Sequence, residues 1–199
     1  TISSCEKSGH WQLALLLFCR AEGWVEPDTT TYNATISSLE KGNQWQSALH
    51  FFARMPRAGV TADVVSYNAT ISACEKAGQW QLAWLLFNSL PQSEIDPSVI
   101  SFNAAISACE KGLQWQLAMH LFNHMPSARL LPDVVSYSAT ISSYEKGSQW
   151  LPALRLFRQM HKAQMSADTV AYGAAITSCE KGAQWPLALQ FLSRMCKDE

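Results

Sequence analysis

Six tryptophans recur at an almost constant interval along this chain, with one gap of 34 residues followed by four gaps of 35. They are Trp11, Trp45, Trp80, Trp115, Trp150 and Trp185. Each lies in nearly the same phrase, as in Cys74-Glu75-Lys76 followed by Gln79-Trp80-Gln81. A fixed period of this length predicts a solenoid of stacked supersecondary units, which acts through an extended surface rather than through one pocket.

Composition narrows the class of protein further. With 199 residues and 48% hydrophobic content, the chain can bury a large core. A formal net charge of -1 gives the whole molecule no attraction to nucleic acid, so any such affinity must come from the local placement of charge. No stretch approaches 18 uncharged apolar residues, and we therefore expect no membrane insertion.

One repeat, residues 63–97, shows how the local sequence predicts two helices. Asp63 is a good N-cap for a first helix over residues 64–76, and Gly78 stands where a left-handed residue is wanted after it. A second helix is predicted from about Gln79 to Leu90, where Pro91 ends it. The fold class is therefore all-α, a solenoid of stacked antiparallel helix pairs in a right-handed superhelix. We divide the single array into a partial repeat over 1–28, full repeats over 29–63, 64–98, 99–133 and 134–168, and a partial repeat over 169–199.

Apolar residues at fixed repeat positions predict the core, and the tryptophans are expected in equivalent buried positions. The recurring second-helix residues are Ala14, Ala48, Ala83, Ala118, Ala153 and Ala188, then Phe18, Phe52, Phe87, Phe122 and Phe157 with Leu192, and Met55, Met125, Met160 and Met195. Four cysteines share one position, Cys5, Cys74, Cys109 and Cys179, which is Leu39 or Tyr144 elsewhere. A position that accepts all three residue types predicts buried, reduced thiols. The sequence has no cluster of potential ligands, so we predict neither a metal site nor a cofactor.

The residues resemble a known family at this point. The phrase Val-Val-Ser-Tyr-Asn-Ala-Thr-Ile-Ser-Ala over residues 64–73, then Glu-Lys-x-Gly, Ala-x-x-Leu-Phe-x-x-Met and Pro-Asp, is similar to the pentatricopeptide repeat. The period of 35 residues fits that family better than the tetratricopeptide repeat. Six units in register resemble its pure-repeat subclass. The sequence has neither the His-x-Glu nor the Cys-x-x-Cys motif of relatives with a deaminase tail, and we expect no enzymatic activity.

The resemblance implies sequence-specific binding of single-stranded RNA, with one base per repeat and no cofactor. Two side chains of each repeat would select the base, in the pairs Asn33 with Asp63, Asn68 with Ser98, Asn103 with Asp133, and Ser138 with Asp168. The family's usual pairings imply U, then C or U, then U, then G. Gly173 has no side chain with which to read a base. The side chains that would sandwich the bases are Thr30, Val65, Ile100, Val135 and Val170.

A repeated Glu-Lys pair ends each predicted first helix. The resemblance implies that the lysines meet successive phosphates: Lys7, Lys41, Lys76, Lys111, Lys146 and Lys181. The alternative is that they only complement the helix dipole, just as the aspartates and Ser98 also serve as helix caps. The glutamates, Glu6, Glu40, Glu75, Glu110, Glu145 and Glu180, are expected to make inter-repeat contacts or to form a solvated edge.

Two functions compete on this basis. The first is RNA binding in a plastid or mitochondrion, in the processing, stabilisation or translation of specific transcripts. The second is an architectural subunit of a large organellar assembly, a ribosome or membrane complex, that binds protein subunits instead of reading RNA. Solenoids need polar caps at their ends, and no capping helix is recognisable in the sequence, so we expect a segment of a longer array.

Overall fold

The computed structural model describes residues 10–22 and 26–198, which are helical with short connections and contain no strand in this part of the chain. The first helices of the helix pairs are α2 (Thr29–Lys41), α4 (Val64–Lys76), α6 (Val99–Lys111), α8 (Val134–Lys146) and α10 (Thr169–Lys181). The second helices are α1 (Trp11–Glu22), α3 (Trp45–Arg54), α5 (Trp80–Ser89), α7 (Trp115–His124), α9 (Trp150–Lys162) and α11 (Trp185–Asp198). The predicted all-α stack of helix pairs is confirmed. Single 3₁₀ turns, Pro56–Ala58 and Pro91–Ser93, follow α3 and α5.

Local side chains determine where the first helices begin. The Asp63 side chain accepts a hydrogen bond from the backbone N–H of Ser66. The Ser66 hydroxyl oxygen accepts one from the backbone N–H of Asp63, which completes a capping box. Asp133 and Ser136 repeat this arrangement at α8, and Asp28 and Asp168 cap α2 and α10. Each cap contributes about 1 kcal/mol to stability. The five first helices therefore begin at residues 29, 64, 99, 134 and 169, as the prediction placed the cap of each repeat.

The chain divides into two compact units, Thr1–Ala104 and Ala105–Glu199, with the boundary inside α6. In the first unit, α2 packs against α1, α3 and α4, and α4 packs also against α3 and α5. In the second unit, α8 packs against α7, α9 and α10, and α10 packs also against α9 and α11. Within each unit, then, a first helix contacts the next first helix and lies between two second helices.

Aromatic rings join each second helix to the following first helix. Phe18 and Tyr32 meet edge to face with their centroids 5.0 Å apart, and Phe122 and Tyr137 do so at 4.9 Å. The same contact recurs in Phe52 with Tyr67, Phe87 with Phe102, and Phe157 with Tyr172. Such pairs contribute about 0.5–1.5 kcal/mol beyond the burial of their area. The phenylalanine stripe is thus the contact that holds successive repeats together within a unit.

The tryptophans are less buried than the sequence predicted. Trp11, Trp45, Trp80, Trp115 and Trp150 are half-buried. Trp185 is 70% exposed and Leu192 is 49% exposed. The ring of an inner tryptophan is covered by the turn after the next first helix, as Trp150 is by Gly182. No described helix packs beyond α11, which leaves Trp185 open, so the prediction of equivalent buried positions is wrong.

Most of the other predicted core positions that the structure describes are buried, but Phe52, Ala188 and Met195 are half-buried. Met55, Met125 and Met160 are fully buried. The same holds for the recurring alanines of the second helices, Ala14, Ala48, Ala83, Ala118 and Ala153. Cys74, Cys109 and Cys179 are buried and free of disulfides, whereas Cys5 lies outside the described residues. Burial raises the pKa of the Cys74 thiol to about 11 and that of Cys109 to about 12. These thiols are packing residues, since a thiolate is needed for reactivity.

Candidate nucleic-acid interface

The predicted reading pair Asn33–Asp63 joins two adjacent repeats through a direct contact. Asn33 lies in the second turn of α2 and Asp63 is the cap of α4. The Nδ2 atom of Asn33 donates to Oδ1 of Asp63 at 3.0 Å and to Oδ2 at 3.2 Å. Both side chains are half-buried and therefore retain access to solvent. The pair forms because α2 packs against α4, which brings residues 30 positions apart into contact.

The pair Asn68–Ser98 repeats this geometry with a hydroxyl in place of the carboxylate. Asn68 Nδ2 donates to Ser98 Oγ at 3.2 Å. The contact is longer than that of Asn33 with Asp63, and its acceptor carries no charge. A hydrogen bond to a neutral acceptor is weaker than one to a carboxylate. Asn68 is therefore held less firmly than Asn33.

The remaining two pairs differ in where the structure places them. Ser138 Oγ lies 2.8 Å from Asp168 Oδ1 and 2.8 Å from the backbone oxygen of Val134, and Ser138 is only 4% exposed. Ser138 is therefore buried, whereas a base-reading residue is expected on an open surface. Its Oγ is within hydrogen-bond reach of the half-buried Asp168. Asn103 lies in the first unit and is half-buried, while Asp133 lies in the second and is exposed.

A third side chain contacts the reading amides, and sequence reasoning did not identify it. Ser66 Oγ donates to Oδ1 of Asn33 at 2.5 Å, and Ser101 Oγ donates to Oδ1 of Asn68 at 2.6 Å. Ser66 and Ser101 occupy the third position of α4 and α6. A signal was present, since each of the three asparagine readers is followed 33 residues later by a serine, and Ser138 by Ala171.

The carboxylate of Asp63 is held in its charged form. Burial raises the pKa of Asp63, but hydrogen bonds from the Ser66 N–H, the Asn33 amide and the Ser66 hydroxyl outweigh it, and the pKa lies below its usual value. The pKa of Asp28 is lowered too, chiefly by the hydrogen bond from the Thr31 side chain. At neutral pH Asp63 is consequently an acceptor only, which constrains the orientation of any amide beside it.

Branched side chains at the predicted sandwiching position are all exposed. Val65 is 49% exposed, Ile100 66%, Val135 51% and Val170 57%, and Thr30 is exposed as well. Each lies three residues before the first-helix reading position, and thus on the same side of its helix one turn away. An exposed apolar residue is ordinary by itself, but recurrence at one repeat position places an exposed branched side chain one helical turn from each reading side chain.

The lysines at the ends of the first helices contact glutamates of the preceding repeat. Lys76 Nζ lies 2.8 Å from Glu40 Oε1, Lys146 Nζ 2.9 Å from Glu110 Oε1, and Lys181 Nζ 2.6 Å from Glu145 Oε1. The expectation of inter-repeat contacts is confirmed for these three glutamates. The ion pairs reduce the positive potential that the row of lysines offers to phosphate. Lys41 and Lys111 are exposed, and Lys7 lies outside the described residues.

The described part of the chain has neither a metal-binding cluster nor a membrane-spanning helix. There, no three His, Cys, Asp or Glu side chains are arranged to hold a metal ion. Likewise, no described helix has both the length and the apolar character needed to cross a membrane.

The fold and the recurrent side-chain pairs define an α-helical repeat protein with a period of 35 residues. A model of the PPR repeat family matches residues 27–74, 62–111 and 97–146, and a PPR repeat model matches residues 135–165. The chain therefore belongs to the pentatricopeptide repeat (PPR) family. No curated protein sequence matches it significantly.

Solved structures of this fold resemble the chain over nearly its whole length. The crystal structure of the pentatricopeptide repeat protein PPR10 from maize is 24% identical, with a TM-score of 0.75, over 98% of this chain and 28% of PPR10. PPR10 in complex with an 18-nt psaJ RNA element is 22% identical, with a TM-score of 0.80, over 99% of this chain and 29% of that one. The PPR domain of Arabidopsis thaliana protein-only RNase P 1, in complex with tRNA, is 14% identical, with a TM-score of 0.73, over 84% and 90% of the two chains. At these identities the likeness describes the fold.

Proposed function

We propose that the chain binds single-stranded RNA and selects bases through the pairs Asn33–Asp63, Asn68–Ser98, Asn103–Asp133 and Ser138–Asp168. The observation that carries this proposal is the contact between predicted partners. The pairs Asn33–Asp63, Asn68–Ser98 and Ser138–Asp168, which the family resemblance implied, are joined by hydrogen bonds between adjacent repeats. Helix capping alone explains the aspartates, but it does not require an amide or hydroxyl from the preceding repeat to contact them.

The chemistry of the pairs favours a pyrimidine-rich target. An amide offers a donor and an acceptor side by side, which matches the alternating donors and acceptors of a pyrimidine edge. A hydroxyl beside a carboxylate suits the donor-rich edge of guanine. Read from 5′ to 3′, the four pairs would prefer U, then C or U, then U, then G. The exposed row of Thr30, Val65, Ile100, Val135 and Val170 would pack against the faces of the bases.

A lysine that is paired with a glutamate can bind RNA only if a phosphate group displaces that glutamate. The pairs Lys76–Glu40 and Lys146–Glu110 are partly exposed, and such pairs contribute only about 0–1 kcal/mol. A phosphate can therefore compete for these lysines at low cost. We propose this role for Lys7, Lys41, Lys76, Lys111, Lys146 and Lys181. We place the protein in a plastid or mitochondrion, acting on specific transcripts, because the chain belongs to the PPR family.

The same ion pairs favour a second candidate, an architectural subunit that binds protein. A row of neutralised lysines and a net charge of -1 give little long-range attraction to RNA. In this case the proposed reading pairs, such as Asn33 with Asp63, would only join adjacent repeats. The exposed row would then contact a protein partner.

Titration of the intact chain with labelled oligonucleotides distinguishes the two candidates. Fluorescence anisotropy would compare an RNA with a U-C-U-G core, four RNAs that each carry one altered base, and poly(A) of equal length, all at one salt concentration. We expect the matched core to bind most tightly and each altered base to weaken binding. Equal affinity for the matched core and poly(A) would reject base reading and leave the architectural function.

A further inference from the structure

We infer that Ser66 and Ser101 are positioning residues that hold the amides of Asn33 and Asn68 in place for base selection, an inference that rests on the proposed function. Both serines are fully buried, so they cannot contact RNA themselves. Ser66 Oγ offers its one proton to Asn33 Oδ1 at 2.5 Å and to Asp63 Oδ1 at 2.9 Å, so the amide oxygen is the nearer acceptor. Ser101 Oγ donates to Asn68 Oδ1 at 2.6 Å. Their effect on a base can therefore act only through the reading side chains that they contact, which are Asn33 and Asp63 for Ser66 and Asn68 and Ser98 for Ser101.

The hydrogen bonds of Asn33 define what its amide can offer to a ligand. An amide has two N–H donors and two lone pairs. Asp63 takes one donor of Asn33, and Ser66 occupies one lone pair. One N–H and one lone pair remain, side by side, with their orientation determined. Because the Asp63 carboxylate only accepts, the reversed amide would direct Oδ1 at a negative charge.

The contacts of Asn68 allow both orientations. Its neighbours, Ser98 and Ser101, are hydroxyls, which donate and accept equally well. The two hydroxyls are 3.1 Å apart and either can be the donor. The amide of Asn68 is therefore satisfied whichever way it faces. This freedom gives a physical reason for a pair that accepts C or U beside a pair that prefers U.

The residue at the third position of a first helix varies with the reading residue of the preceding repeat. Ser66, Ser101 and Ser136 follow the asparagine readers, whereas Ala171 follows Ser138. The Oγ atom of Ser138 lies 2.8 Å from Asp168 Oδ1, so this reader needs no third group. Simple helix capping does not explain this difference, because Asp168 caps α10 without a serine at position 171.

A loss of base discrimination tests the inference at one nucleotide. The ratio of the Kd for A to the Kd for U, at the base read by Asn33–Asp63, should fall about fivefold in Ser66→Ala, the factor for one neutral hydrogen bond. The ratio at the base read by Asn103–Asp133 should not change. Ser66→Thr should retain discrimination, since Thr31 occupies the same position in α2 with its hydroxyl bonded to Asp28. Thr31→Ala, which removes only the hydroxyl contact with the cap residue Asp28, should lower the Tm and leave both ratios unchanged.

A second test looks for a gain of base discrimination, which a variant that folds poorly could not produce. Ser138→Asn alone should move the fourth preference only partly from G toward U, because Ala171 offers no hydroxyl to the new amide. Adding Ala171→Ser should strengthen the U preference about fivefold. No increase on adding the serine contradicts the positioning role.

A measurement without RNA separates this inference from the proposed function. Exchange of the Asn33 side-chain amide protons, followed by NMR, should be faster in Ser66→Ala than in the wild type. The positioning role alone is overturned if Ser66→Ala and the wild type exchange these protons at equal rates. It is also overturned if the wild type reads this base and Ser66→Ala discriminates equally well. A wild type that binds every RNA equally overturns the proposed function and this inference with it.

Discussion

The Oγ atom of Ser138 lies 2.8 Å from Oδ1 of Asp168, and the two residues belong to adjacent repeats. Asn33 contacts Asp63 across the same repeat distance, but through an amide. The two kinds of reader therefore present different atoms beside the same carboxylate. An exchange of amide for hydroxyl should change which base is preferred.

The first prediction concerns Asn103→Ser with Asp133 unchanged. The third preferred base should move from U toward G, because a hydroxyl replaces the amide beside an unchanged carboxylate. Affinity for the rematched RNA should stay close to that of the wild type for its own target. Anisotropy with the four bases at this nucleotide measures the change. An unchanged preference would mean that Asn103 does not read a base.

The second prediction concerns the ion pair of Lys146 with Glu110. Lys146→Ala should weaken binding of all RNAs about equally and lower the slope of log K against log salt by roughly one unit. Glu110→Gln, the matched control, releases the same lysine and should strengthen binding at low salt. If Lys146→Ala leaves the salt slope unchanged, the lysine acts between repeats and does not contact phosphate.

The third prediction concerns buried hydroxyls at one repeat position in the first helices. The Oγ atoms of Ser38, Ser143 and Ser178 are buried without a hydrogen-bond partner, and the same position is Ala73 or Ala108 in other repeats. Ser143→Ala should stabilise the protein by about 1 kcal/mol, because it removes an unsatisfied polar group. Urea unfolding measures the change. The reverse substitution, Ala108→Ser, should destabilise by a similar amount, and opposite signs would contradict this account.

The fourth prediction concerns the turn glycines that lie against tryptophans. A Cβ at Gly182 would come within 2.6 Å of Trp150 Cδ2, and one at Gly147 would meet the inner atoms of the Trp115 side chain. Gly147→Ala should therefore cost about 1–3 kcal/mol through overpacking, although its φ of -77° suits any residue. Thermal unfolding would detect this loss. Ala77→Gly, at the equivalent turn, is the control and should not show a loss of that size from overpacking.

The fifth prediction concerns the thiols. Cys19 is exposed, whereas Cys74 and Cys109 are buried with a raised pKa. Iodoacetamide at pH 8 should modify Cys19 rapidly and leave Cys74 and Cys109 protected until the protein unfolds, as peptide mapping by mass spectrometry would show. Rapid modification of Cys74 in the native state would contradict the packing role of this position.

The sequence by itself determined the helices and their order, because these depend on neighbours in the chain. Asp63 and Ser66 are three residues apart and cap α4 whatever surrounds them. The positive φ of Gly78, +70°, also follows from a local turn. The recurrence of one phrase extends the same local signals to every repeat. The pairing of Asn33 with Asp63 was implied by the resemblance to the PPR family.

The tertiary structure decided the contacts that cross from one repeat to the next. That Ser66 holds the Asn33 amide, that Lys146 meets Glu110, and that Trp150 lies on a glycine turn all depend on how closely adjacent helix pairs approach. The period fixes which residues are equivalent but not the distance or rotation between units. The exposure of Trp185 is the clearest case, since its sequence matches the inner repeats while its burial depends on a neighbouring helix pair.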